Sequence, residues 1–118
     1  MKNVVYLEIE DFTPEGNLKP YVCAGKPVII MGQGNFCGYC KQAKPAFAKF
    51  AQNGQVIACT IVSDGGETEK PCAKFFRKWD PSHRGVPAYF GFDRTGRFVK
   101  THRGGRDTKS LIEFSKSL

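Results

Sequence analysis

The sequence has no apolar run long enough to cross a bilayer: Val28–Met31 falls far short of the about 20 residues that a spanning helix needs. It contains no internal repeat, low-complexity tract or linker, so its 118 residues are expected to form one domain over 1–118. The stretch Met1-Lys2-Asn3-Val4-Val5-Tyr6-Leu7-Glu8 turns acidic before an apolar leader can form, which predicts a soluble, non-secreted, cytoplasmic protein with no membrane partner. Histidine is scarce as well. Of Cys23, Cys59, Cys72, His83 and His102, no two lie close enough in sequence to supply the second half of a zinc site, so no metal is expected.

Carboxylates are few: 11 Asp and Glu stand against 18 Lys and Arg, a net charge of +7. The imbalance is local. Residues 1–15 carry Glu8, Glu10, Asp11 and Glu15 against Lys2, whereas residues 70–118 carry twelve basic side chains against four acids. Such a surface suits nucleic acid or an acidic protein partner. No nucleic-acid motif accompanies it, and ordinary solvation and protection of sheet edges are the simpler reading. What the chain does have is core material: ten Phe, four Tyr and one Trp, enough that folding needs no disulfide staple. Five cysteines is an odd count, and only Cys37 and Cys40 sit at an informative spacing.

Val4–Glu8 reads as a short strand, and 12–23 as a short helix despite Gly16 and Pro20. Val28-Ile29-Ile30-Met31 has the continuous apolar, β-branched character of a strand buried on both faces. After the Gly32-Gln33-Gly34-Asn35 loop, helical periodicity runs from Cys40 to Asn53, with Ala43, Phe47 and Phe50 on one face, Pro45 inside and Gly54 as the stop. Val56–Val62 reads as a strand, Thr68–Lys78 as a helix, and Ala88–Phe92 with Arg97–Thr101 as a hairpin turning at Asp93-Arg94-Thr95-Gly96. Asp107 caps a last helix that buries Leu111, Ile112 and Phe114. The order βαβαβαββα predicts an α/β fold: a central mixed five-stranded sheet flanked by helices.

Cys37-Gly38-Tyr39-Cys40 opens the long helix. A helix N-terminus offers unpaired N–H groups and partial positive charge, both favourable to a thiolate. Cys37 is therefore expected to be exposed and nucleophilic. Cys40, one turn deeper, is shielded until a mixed disulfide forms and then resolves it. Gly38 leaves the approach to Cys37 open. Tyr39 is either a substrate contact that tunes the redox potential or a plain solvent-facing turn residue.

Two motifs in this order resemble the thioredoxin family: Phe36-Cys37-Gly38-Tyr39-Cys40-Lys41 with Pro45 five residues beyond Cys40, and Arg84-Gly85-Val86-Pro87-Ala88 followed by Tyr89-Phe90-Gly91-Phe92. Gly96, Gly104 and Gly105 fall where that family has a hairpin glycine and a glycine before its last helix. The resemblance is good from Val28 onward and looser before it. It implies a thioredoxin fold, catalytic Cys37 and Cys40, and a cis Pro87 lying against them. Val86 would then present its backbone to a bound substrate strand, and Phe36, Gly38, Tyr39 and Gly104 would complete the substrate groove. It further implies a protein that reduces disulfide-containing proteins, recharged by an upstream reductase; a monomer is the separate expectation. No bound cofactor is called for, because both electrons reside in the two cysteines.

Three departures stand out. Phe36 replaces the family's tryptophan, Met31 stands where a buried acid helps deprotonate the second cysteine, and Thr60 occupies the place of that acid's lysine partner. These predict a slow resolving step. The Cys-Gly-Tyr-Cys tetrad is also similar to that of the bacterial periplasmic disulfide isomerases, but those have Thr where this chain has Val86, and they carry a dimerisation domain. The reductase reading therefore leads, with oxidase or isomerase behaviour open in direction but not in architecture; the other alternative is a non-catalytic thioredoxin-fold module that binds a partner through its basic face.

Among the remaining residues, Cys59 reads as an inert core thiol, Cys72 as a packed one with a regulatory alternative, and Cys23 is ambiguous. His83 reads as a solvated loop histidine, with substrate steering as its functional alternative. Arg84 either solvates the rim or favours acidic partners. Trp79 belongs to the core.

Overall fold

A computed structural model describes residues 1–118. Apolar, β-branched stretches form its central strands. β2 (Val28–Gln33) is buried at every position, and β3 (Ile57–Val62) at all but its first. β1 (Val5–Tyr6) pairs parallel with β3, and β3 parallel with β2. β4 (Ala88–Phe92) runs antiparallel to β2, and β5 (Phe98–His102) antiparallel to β4. The five-stranded mixed sheet has the order β1-β3-β2-β4-β5. α1 (Pro20–Cys23), α2 (Gly38–Phe50), α3 (Phe76–Trp79) and α4 (Thr108–Ser115) complete the expected βαβαβαββα succession.

The sheet separates two cores, as strand alternation requires. On one side, Val28, Ile30, Cys59, Ile61, Phe90 and Phe92 meet Phe12, Phe75, Phe76 and Trp79. On the other, Ile29, Met31, Ala58 and Tyr89 meet Ala43, Phe47 and Phe50 of α2 and Leu111 of α4. Trp79 is the hub of the aromatic side, as its core reading expects. Its ring lies 4.9 to 6.4 Å from those of Phe12, Phe75, Phe76, Phe90, Phe92 and Phe98, and its Nε1 donates to the Gly16 carbonyl at 3.0 Å.

Several boundaries differ from expectation for local reasons. The segment 12–23 is not one helix. Phe12 and Leu18 bridge across a turn in which Gly16 has φ +86°, and helix begins only at Pro20, whose missing N–H is harmless in a first turn. The segment 68–78 splits into a 3-10 stretch, Lys70–Phe75, with Pro71 near its start, and the short α3. α2 ends at Phe50 rather than running on to Gly54. Its last carbonyls are taken up by i→i+3 bonds from Gln52 and Asn53. β5 starts at Phe98 because the Arg97 N–H is drawn into the turn by the Asp93 carboxylate, and Gly96 supplies that turn's positive φ of +89°. On α4 only Leu111 and Ser115 are fully buried, while Ile112 and Phe114 stay half-covered. Asp107 caps it as expected, accepting from the Ser110 N–H at 3.2 Å.

Candidate active site

β2 ends in a short loop that delivers Cys37 to the N-cap of α2, where its backbone is still extended (φ −108°, ψ 108°). Cys40 sits in the first turn, and the two cysteines form a disulfide with Cα atoms 5.1 Å apart. Their surroundings are unequal. Cys37 is partly exposed, whereas Cys40 is wholly buried against the sheet. The Cys40 N–H donates to Cys37 Sγ at 3.0 Å, so an unpaired donor of the helix end is spent on sulfur. Pro45 lies inside α2, one turn beyond, and takes an N–H out of the ladder.

The Val86–Pro87 peptide is cis, and the Val86 carbonyl oxygen stands 3.6 Å from Cys37 Sγ. Two segments some fifty residues apart in sequence thus meet at one sulfur. Phe36 projects almost entirely into solvent, 97% exposed, and Tyr39 is 68% exposed. Gly38 is open, with nothing within 4 Å of where a Cβ would lie. Gly104 belongs to the β5–α4 loop and lines a cleft with Pro87 rather than touching the disulfide.

Met31 and Thr60 are register partners in β2 and β3, and both are fully buried. Sequence reasoning missed their neighbour Gln33, treated as loop. It is the last residue of β2, 1% exposed, and its Nε2 donates to Thr60 Oγ1 at 2.8 Å, while that hydroxyl donates to the Met31 carbonyl at 2.7 Å. Where the resemblance implies a buried acid and lysine, the structure has Met31 and Thr60, and the Thr60 hydroxyl bonds to Gln33 and to the Met31 carbonyl. A polar residue two positions after Met31, on the same strand face, was the available signal.

The other three cysteines are free and buried. Burial pushes the Cys72 thiol up to about 11 and raises those of Cys23 and Cys59 too. None is poised for attack. His83 differs from the solvated reading: it is half-buried against Phe76 and Phe90, ring centroids 5.2 and 6.1 Å away, and that burial lowers its pKa. No three His, Cys, Asp or Glu side chains gather into a metal-binding cluster, and no helix is long and apolar enough to cross a membrane.

A sheet of this topology with a Cys-X-X-Cys disulfide at the start of α2, facing a cis-proline loop, defines a thioredoxin-fold thiol–disulfide oxidoreductase in the general sense. The relatives agree. A thioredoxin-like protein of Invertebrate iridescent virus 6, designated 453L, is 32% identical over 96% of this chain and 92% of its own length. The chain belongs to the thioredoxin-like proteins. Among solved structures, thioredoxin f from spinach chloroplast matches with a TM-score of 0.68 at 23% identity, covering 97% of this chain and 91% of its own. The first thioredoxin domain of mouse protein disulfide-isomerase A4 matches at 0.72 and 19% identity over 99% and 76%. At these identities the structures establish the fold. No family model matches the sequence.

Proposed function

We propose that the chain reduces disulfides in other proteins by thiol–disulfide exchange through Cys37 and Cys40. The observation that carries this reading is the asymmetry of the pair: an accessible sulfur at a helix N-terminus that accepts a backbone N–H, and a buried partner one turn deeper. In the dithiol form, the Cys40 amide and the positive end of α2 stabilise negative charge on Cys37 Sγ. That thiolate attacks one sulfur of a substrate disulfide, forming a mixed disulfide and expelling the other sulfur as a thiolate, which takes a proton from water. Cys40 then loses its proton and attacks Cys37 Sγ. The second substrate thiolate leaves, and the protein is left with the Cys37–Cys40 disulfide. Two electrons pass to the substrate, and an upstream reductase returns them.

Val86 and Pro87 are assigned to holding the substrate backbone beside Cys37, with Phe36, Gly38 and Tyr39 as the exposed rim and Gly104 on the far side of the loop pair. A monomer acting in the cytoplasm belongs to the same reading, because three unpaired thiols suit a reducing compartment.

The test is a redox titration of the purified protein, with mass spectrometry to identify the pairing cysteines. A Cys37–Cys40 couple near the thioredoxin value of roughly −270 mV is expected. A couple at about −180 to −120 mV would reverse the direction to an oxidant or isomerase. Cys40→Ser should accumulate mixed disulfides through Cys37, and an absence of adducts would exclude exchange altogether.

A further inference from the structure

Beside Pro87 lies a cleft of about 410 Å³, walled by the loop before β4 and the loop between β5 and α4. Three arginines line it, Arg84, Arg103 and Arg106, together with His83, His102 and a single carboxylate, Asp80. That carboxylate is already engaged, accepting from Arg103 Nη2 at 2.7 Å and from the Ser82 N–H at 3.0 Å. Arg84 and Arg106 have no carboxylate partner; the molecule contains two ion pairs, and neither involves them. Tyr89 also forms part of the wall. It is 3% exposed, and its hydroxyl is the one buried side-chain polar atom without a hydrogen-bond partner.

The cleft is contiguous with the redox centre on two sides. Pro87 is on its wall, and the preceding residue's carbonyl stands 3.6 Å from Cys37 Sγ. Arg106 reaches across to the active-site motif, its guanidinium carbon 5.9 Å from the centre of the Tyr39 ring. A polypeptide lying along Val86 with its cysteine at Cys37 would run beside this cleft, which begins at the next residue, Pro87.

We propose that the cleft receives an aspartate or glutamate side chain flanking the target cysteine, so that the protein selects disulfides in acidic sequence. The unpaired guanidinium groups of Arg84 and Arg106 supply planar, paired donors for the carboxylate. This rests on the exchange reaction proposed above and adds the class of substrate it prefers.

The test uses two peptides, each bearing one internal disulfide, identical except that the residues flanking one cysteine are Glu in the first and Lys in the second. The dithiol protein is mixed with each, and second-order rates of reduction are compared within each protein variant, which cancels effects on the sulfur chemistry. The wild type is expected to reduce the Glu peptide about ten-fold faster, equivalent to ~1.4 kcal/mol. The ratio should fall below about two in Arg84→Ala/Arg106→Ala and at 0.5 M NaCl, as an exposed charge contact requires. Both arginines are exposed, so the variant should fold. Equal rates in the wild type, or a preference that survives in the double variant, would overturn the inference while leaving disulfide reduction intact. A wild type unable to reduce even 2-hydroxyethyl disulfide would overturn the exchange reaction, and the substrate preference with it.

Discussion

The two faces of the sheet are built on different principles. The face under α3 is closed by six aromatic rings around Trp79, whose one polar atom is satisfied by the Gly16 carbonyl. The face under α2 and α4 is smaller and carries the buried polar groups: Gln33, Thr60 and the unpaired Tyr89 hydroxyl, together with Cys40 at its upper edge. Aromatic packing holds the strands in register, so the opposite face can carry groups that a core chosen for stability alone would exclude. Cys40 belongs to the face with the buried polar groups, beside Ala43, Phe47 and Phe50 on the inner side of α2.

That contrast can be broken most forcefully from the aromatic side. Trp79→Ala should cost about 3–5 kcal/mol, read as a lowered urea midpoint, because it empties a site that six rings line. A loss below about 1 kcal/mol would mean that the hub is dispensable. From the other side, Met31→Asp places a carboxylate among apolar neighbours and should destabilise by several kcal/mol, while its new base should speed the resolving step in stopped-flow reduction. Wild-type resolution as fast as that of thioredoxins with the buried acid would show that the Gln33–Thr60 pair costs nothing in proton transfer.

The two faces share one dependence on alkaline pH. Cys72, raised to about 11, with Cys23 and Cys59 shifted the same way, belongs to the aromatic side, and Tyr89, raised to about 12, to the other; burial is the leading cause in each. These groups ionise more readily in the unfolded chain. The stability they contribute is full below pH 9 and is lost as the pH rises through the folded values, so the urea midpoint should fall between about pH 9 and 12. A flat profile across that window would contradict the burial of the thiols. The smallest effect is expected at Tyr89→Phe, which deletes an unpaired hydroxyl. Stability should hold or rise by up to about 1 kcal/mol in thermal denaturation, whereas a loss would reveal a bond that the hydroxyl makes in solution.

The alternation of apolar strands with helices, the Cys37–Cys40 spacing and the Val86–Pro87 motif were legible because each is a local pattern with a local cause. The segment 12–23 was not. Gly16 and Pro20 argued against one helix there, yet only the contact between Gly16 and Trp79, 63 residues away, shows what the turn is for. Gln33 escaped notice for a similar reason: beside two glycines it looks like loop, and its partner Thr60 lies on another strand. The basic cleft joins two loops, and its engaged and free arginines differ only in whether Asp80 is within reach. Sequence showed the excess of positive charge but not which charges are unspent.

The Cys40 amide meets Cys37 Sγ in the disulfide form, where that sulfur carries no charge. The contact is thus a fixture of the first turn rather than something assembled on reduction. A donor already aimed at the neutral sulfur needs no rearrangement to meet it as a thiolate, so, on the exchange reaction proposed above, reduction would add charge to a place already arranged to receive it.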